Sequence, residues 1–245
     1  MKALVIACAY NEGVKFEATC DRIAAFLKRR NRSRVMIDAL VIDDASDDQA
    51  PKKTALKNNF QYLRNDHRSG IGYSIRRGYQ YGLKNKYDIL ITIAGNNKDN
   101  PDEIDRLIEP IVNGSSDFVQ GSRYLSGGNY GNMPLYRLLT TRYVHPWLFS
   151  LVSGRRITDT TNGFRAVSAA VLRDERIDLQ PDWLDHYELE PYLFCRVIRL
   201  GYHVSEVPVT KIYPDKKLGY SKMTPITGWW SILRPLVYLF FRVKK

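Results

Sequence analysis

An apolar run, Leu40-Val41-Ile42, leads straight into Asp43-Asp44, and Asp47 and Asp48 follow within four residues. Two neighbouring carboxylates at a strand end repel each other unless a metal ion, a pair of ribose hydroxyls or a base amino group uses them. The same arrangement occurs twice more. Leu4–Ala9 delivers Tyr10-Asn11-Glu12, and Ile89–Ile93 delivers Ala94-Gly95-Asn96-Asn97-Lys98-Asp99. In open α/β sheets, ligands bind at the carboxyl edge of the strands. Three strands that unload polar groups at such an edge suit the capture of a nucleotide.

Other segments carry weaker chemistry. Asn11 can cap the helix that follows it, so Tyr10-Asn11-Glu12 reads equally as a base contact or a cap. Arg64–Gly72 is a polar turn opening a helix, whose first amides can hold an anion. In that helix Arg76 and Arg77 read as a solvated face. Gly121-Ser122-Arg123-Tyr124 ends a strand, and the planar fork of Arg123 suits a diphosphate, although a lone strand-end Arg is ordinarily an ion pair. Asp159-Thr160-Thr161-Asn162-Gly163-Phe164-Arg165 is dense enough in acid, hydroxyl and Arg to suggest a sugar or acceptor contact. Asp185–Glu190 opens a helix, where acids also serve the helix dipole. Lys216–Lys222 is a basic loop that either closes over a phosphate or is simply solvated.

The elements that position these groups alternate. Strands are expected at Lys2–Ala7, Met36–Ile42, Phe60–Leu63, Asp88–Ile93 and Asp117–Gly121. Helices are expected near 14–30, 51–58, 70–83 and 101–112, with Phe16, Ile23, Phe26 and Leu27 on one face of the first. This rhythm predicts an α/β fold with a mostly parallel sheet covered on both faces. Beyond Gly121 the rhythm breaks into a loop, a helix near 134–153, a turn-rich polar segment over 158–167, a helix near 185–200 and one or two strands over 202–213. No break separates two independent domains.

The 245 residues carry a net charge of +11, which calls for anionic partners. Arg196–Lys245 holds ten Lys/Arg against two Asp/Glu. The excess thus coincides with an aromatic tail, which favours a membrane surface over nucleic acid. Three cysteines without metal-type spacing suit a reduced, cytoplasmic chain. The apolar start is too short for a signal peptide. No run reaches the roughly 18 apolar residues of a membrane span.

Taken in order, Tyr10-Asn11-Glu12, Asp43-Asp44-x-Ser46-x-Asp48, Asn65…Gly70-x-Gly72…Gly78, Gly121-Ser122-Arg123-Tyr124…Gly127-Gly128, Asp159…Asn162-Gly163-Phe164-Arg165 and Gly219-x-Ser221-Lys222 resemble a family 2 glycosyltransferase of the GT-A (Rossmann-like) fold. The specific likeness is to the dolichol-phosphate mannose synthase group of polyprenyl-phosphate glycosyltransferases. It spans residues 1–222, leaving 223–245 as a membrane-surface tail. It implies inverting transfer of a mannose- or glucose-type hexose from a GDP- or UDP-sugar to a polyprenyl phosphate, by a protein peripheral at the cytoplasmic membrane face. It implies nucleotide-sugar contacts from Cys8, Tyr10, Glu12, Asp43, Asp44, Gly70, Gly95 and Asn96, and phosphate or acceptor contacts from Arg123, Arg165, Lys216, Ser221 and Lys222. Lys98, Asp99, Arg123 and Asp159 fall at its catalytic positions.

Two departures matter. The Pro usual two positions before Tyr10 is Cys8, and the Asp-x-Asp metal motif falls on Ala94-Gly95-Asn96, with Lys98 where a Gln is common. Without those carboxylates the usual oxygen site for magnesium or manganese is missing. Either Lys98 supplies the positive charge, or Asn96, Asp99 and Asp44 recruit a weaker metal, or the protein binds without turnover. A phosphate acceptor is already anionic and needs no protein base. A glycan hydroxyl acceptor would need one, with Asp159, Asp185 and Glu190 as candidates.

The tail sets Trp229, Trp230, Phe240 and Phe241 among Arg234, Arg242, Lys244 and Lys245. That mixture suits an amphipathic, aromatic helix at the lipid–water interface. The other reading is a helix packed on the sheet or in a homodimer.

Overall fold

A computed structural model describes residues 1–30, 34–213, 227–241 and 243. Seven strands form one sheet: β1 (Lys2–Ala9), β2 (Met36–Asp43), β3 (Gln61–Arg64), β4 (Ile89–Ala94), β5 (Phe118–Ser122), β6 (Arg165–Ser168) and β7 (Val204–Pro208). Their spatial order is β3-β2-β1-β4-β6-β5-β7, with β6 antiparallel to both neighbours and every other pairing parallel. Apart from Lys2 and Thr92, β1 and β4 are apolar throughout because both faces of the sheet are covered.

Alternation along β1 feeds two cores. Ala3, Val5, Ala7 and Ala9 face α1 (Val14–Arg29) and α4 (Ile104–Val112), which contribute Phe16, Cys20, Ile23, Leu107 and Ile108. Leu4, Ile6 and Cys8 face the other layer. That layer holds α3 (Ile71–Lys84), α6 (His145–Ser153), α8 (Leu189–Arg199) and α9 (Thr227–Phe240). Gly78 lets α3 lie directly on the sheet, since a Cβ there would meet Ile6 at 2.6 Å. The remaining helices are α2 (Ala50–Lys57), α5 (Leu135–Leu139) and α7 (Ala169–Leu172).

Three sequence expectations are corrected. The polar segment 158–167 ends in strand β6, whose Arg165, Ala166 and Val167 are buried between β4 and β5. The 185–200 helix starts only at Leu189, because Asp185 is drawn into an ion pair with Arg76 (2.6 Å). That pair also overturns the reading of Arg76 as solvated: it is buried, and donates to the carbonyls of Leu179 and Gln180. The 134–153 helix is continuous, but a π-helical turn over Thr140–Val144 joins α5 to α6. α9 runs through Pro235 and packs on α6 and α8, burying Leu236 and Leu239. No described helix is long and apolar enough to cross a membrane.

Candidate active site

The tips of the parallel strands and the start of antiparallel β6 meet at one edge of the sheet, where they enclose a cavity of about 480 Å³. Cys8 and Ala9 end β1, and Tyr10 and Glu12 follow them into the cavity. Asp44 enters from β2, Ala94, Gly95, Asn96 and Lys98 from β4, and Arg123 from β5. Arg165 comes from β6 and Lys211 from the segment after β7. Of the residues singled out in the sequence, the cavity brings together Cys8, Tyr10, Glu12, Asp44, Gly70, Gly95, Asn96, Lys98, Arg123, Arg165 and Glu190. Asp43, Asp99 and Asp159 are not in its lining. Lys216, Ser221 and Lys222 lie outside the described residues.

The two adjacent acids have separate fates, because consecutive strand side chains point to opposite faces. Asp43 accepts from the Ser46 amide (2.8 Å), the Tyr62 hydroxyl (2.8 Å) and Arg64 (2.5 Å), all within the β2–β3 edge. Asp44 accepts from Asn65 Nδ2 (2.7 Å) and from the amides of Ser69 (2.8 Å) and Gly70 (2.9 Å). The anion held at the start of α3 is therefore the chain's own carboxylate. Gly70 has φ 105°, and a Cβ on Gly72 would sit 2.0 Å from the Leu184 carbonyl, so this turn depends on both glycines. Asn11 does not cap α1, whose N-cap is Gly13. Its side chain exchanges hydrogen bonds with Asp47 (2.8 and 2.7 Å), locking the β1 and β2 tips together. Above them the Arg68 guanidinium stacks on the Tyr10 ring, 4.4 Å from its centroid. Lys15 pairs with Glu12 (2.7 Å).

The opposite wall is cationic. Lys98 is buried, with Nζ 4.4 Å from the centroid of the Tyr213 ring. Burial, then the charges of Lys211 and Arg137, push its pKa down to about 7, against a smaller opposing pull from Glu12. Lys211 bonds Asp99 (2.5 Å) and Asn162 Oδ1 (3.1 Å). Arg123 grips Asp159 through Nε (2.6 Å) and Nη2 (2.7 Å), and Nη2 also reaches Thr161. Burial raises the Asp159 carboxyl pKa, but the Arg123 guanidinium more than reverses this and holds it below the usual carboxylate range. Burial likewise raises the Cys8 thiol, assisted by Asp44, so Cys8 stays a neutral lining group. Arg165 donates to the Asn162 carbonyl (2.6 Å) and lies 3.3 Å from Glu190.

Among the described residues the donor set is poor in carboxylates open to a divalent metal ion. Both Asp99 oxygens are engaged, one by Lys211 and one by the Ala94 amide (3.2 Å), and Asp44 already accepts from Asn65 and from the Ser69 and Gly70 amides. Asn96 offers one amide oxygen. Among the described residues no group of three or more His, Cys, Asp or Glu could hold a metal.

Sequence reasoning missed Lys211, Arg137 and Thr141. Lys211 follows a strand without any motif around it. Arg137 and Thr141 sit one turn apart on the 135–153 helix, facing the cavity alongside Trp229 and Ile232 of α9.

Comparison with known proteins agrees with this geometry. The family described as Glycosyl transferase family 2 matches residues 4–177. The chain is 31% identical to undecaprenyl-phosphate mannosyltransferase of Micrococcus luteus, over 91% of its own length and 88% of the relative. It is 29% identical to polyprenol monophosphomannose synthase of Mycolicibacterium smegmatis, over 91% and 81%. The fold resembles glucosyl-3-phosphoglycerate synthase from Mycobacterium tuberculosis, solved with Mn²⁺ and UDP, at a TM-score of 0.64 and 16% identity, covering 96% and 80% of the two chains. It also resembles a Pyrobaculum calidifontis mannosyltransferase solved with GDP-Man and Mn²⁺, at a TM-score of 0.59 and 14% identity, covering 97% and 69%. The match over most of the chain, on a sheet whose strand tips build one polar cavity, makes this protein a glycosyltransferase of family 2 with the GT-A fold.

Proposed function

We propose that the protein transfers a hexosyl group, mannose or glucose in type, from a GDP- or UDP-sugar to a polyprenyl phosphate at the cytoplasmic membrane face, with inversion and without a divalent cation. The observation that carries this reading is the cationic wall, where Arg137 of α5 and Lys211 from beyond β7 join Lys98, which follows β4 where the family's metal-binding carboxylates would lie. The names of the relatives support the lipid phosphate acceptor.

On this reading the nucleoside lies against Tyr10, Arg68 and Glu12, with Cys8, Asp44, Gly70, Gly95 and Asn96 shaping its seat. The diphosphate lies along Lys98 and Arg123. An oxygen of the acceptor phosphate attacks the anomeric carbon from the face opposite the nucleotide. The bond from that carbon to the diphosphate oxygen breaks, and the nucleoside diphosphate leaves with the electron pair. Fixed positive charge at the leaving oxygens lowers this barrier, and the buried cavity strengthens the effect. Arg137 is the described cation suited to the acceptor phosphate, and Arg165 shapes the cavity floor. The family likeness also assigns Lys216, Ser221 and Lys222, which lie outside the described residues, to the acceptor phosphate. Asp99 and Asp159 act as positioning residues, since each holds a cation of the wall.

No general base is required, because the acceptor phosphate already carries the attacking charge. This matches the acids present: Asp159 and Asp185 are committed to Arg123 and Arg76, and Glu190 lies beside Arg165. The test is an acceptor screen with GDP- and UDP-hexoses, comparing detergent-dispersed polyprenyl phosphate with glycan hydroxyls. Transfer to the lipid phosphate alone is expected. Transfer to hydroxyl acceptors, abolished by Glu190→Gln, would overturn the assignment.

A further inference from the structure

Three of the four cations on the cationic wall lie against the face of a tyrosine. Lys98 Nζ is 4.4 Å and Arg137 Cζ 5.8 Å from the centroid of the Tyr213 ring, and Arg123 Cζ is 5.2 Å from that of Tyr124. Arg123 also rests on Asp159, and the fourth cation, Lys211, on Asp99. Lys98 and Arg137 share the ring of Tyr213. All three of these side chains are buried and line the cavity.

The main chain fixes this ring from two sides. The segment after β7 runs between the tip of β4 and the loop that follows β5. Lys211 pairs with Asp99 in an antiparallel bridge, and Thr210 with Asn129 in a parallel one. The Ile212 amide donates to the Lys98 carbonyl (2.9 Å), and the Tyr213 amide to that of Gly131 (3.0 Å). Asn132 Nδ2 donates to the Tyr213 carbonyl (3.3 Å). The backbone of residue 98 is thus tied to the residue next to the ring that its side chain meets.

Two like charges brought together out of water repel, and each loses solvation. A carboxylate set between them would relieve both costs, but it would also cancel the charge that an anionic ligand needs. An aromatic face attracts a cation through its quadrupole and carries no net charge. We propose that Tyr213 is a positioning residue: its ring face holds Lys98 and Arg137 together in the cavity and leaves their charge to the phosphate groups of the ligands. Lys98 then meets the donor diphosphate, and Arg137 the acceptor phosphate. This inference rests on the nucleotide-sugar reading above for the identity of those ligands.

The test is calorimetry of GDP and UDP binding to the full chain at pH 7. Tyr213→Leu is compared with Tyr213→Phe, and Tyr213→Phe with versions whose Phe ring carries one, two and three fluorine atoms. Leu removes the ring, whereas fluorination keeps its shape and drains its negative face. Tyr213→Phe is expected to bind within about twofold of the wild type, Tyr213→Leu about tenfold more weakly, and the fluorinated rings progressively more weakly. In the Lys98→Met background the fluorination series should lose most of its slope, because the cation nearest the ring is gone. Affinity indifferent to fluorination would overturn the proposal, since the ring would then act by packing alone. So would a Phe variant as weak as Leu, or a slope unchanged by Lys98→Met. Failure of the wild type to bind either nucleotide would refute the donor reading itself. An intact slope without transfer to polyprenyl phosphate would refute the acceptor reading and leave the role of the ring standing.

Discussion

The two walls of the cavity handle charge in opposite ways. On the β1–β2 wall the acids are neutralised from within: Asp43 by Tyr62, Arg64 and the Ser46 amide, Asp44 by Asn65 and the first amides of the α3 turn. On the β4–β5–β7 wall the acids lie underneath and the cations face inward, with Asp99 beneath Lys211 and Asp159 beneath Arg123. On the proposed reading, the first wall is a self-satisfied frame for a nucleoside, and the second is an anion seat whose counter-charges are the protein's own side chains.

The strongest way to break this contrast is to remove a buried acid from beneath the second wall. Arg123 and Asp159 are each at most 2% exposed, and an orphaned buried charge costs about 3–5 kcal/mol. Asp159→Ala should lose that much stability in a denaturant titration. Lys98→Met addresses catalysis and not folding. It should lower the transfer rate by about 10²–10³, the scale set by loss of one preorganised donor to a transition-state anion. Its stability at neutral pH should be equal or higher, since burial already disfavours the Lys98 charge.

On the first wall, Gly72→Ala sets a Cβ against the Leu184 carbonyl and should cost about 1–3 kcal/mol. It should also weaken nucleotide binding by shifting the turn that holds Asp44. The smallest expected effect is a pH dependence. Lys98 drops from 10.5 to about 7 on folding, so between those values the unfolded chain binds more protons and stability rises with pH. Binding of a diphosphate favours the protonated form. Affinity should therefore be level below pH 7 and fall above it, by up to about tenfold per unit. Calorimetry in buffers of different ionisation enthalpy should detect proton uptake at pH 8, and Lys98→Met should abolish it.

These walls were unequally legible in the sequence. Apolar runs ending in polar clusters identified β1, β2, β4 and β5, and with them Glu12, Asp44, Lys98 and Arg123. The pairing of Asp43 with Asp44 misled, because adjacency in sequence means opposite faces in a strand. β6 was hidden because its four residues begin with a buried Arg165, which reads as a polar loop. The π-helical turn was invisible for a related reason: the exposed row Leu135, Leu139, Tyr143, Trp147 and Leu151 repeats every fourth residue, which is not the α-helical period, so 135–153 carried no recognisable pattern. Lys211 needed the sheet order, since only the β5–β7 pairing brings it to Asp99.

The claim that side-chain cations do the work of a metal is tested most directly by the hexosyl transfer rate to polyprenyl phosphate in excess EDTA. The account predicts a rate within about twofold of the untreated enzyme, and a rate for Lys98→Met that added manganese does not restore. Loss of activity in EDTA, recovered by manganese or magnesium, would contradict it.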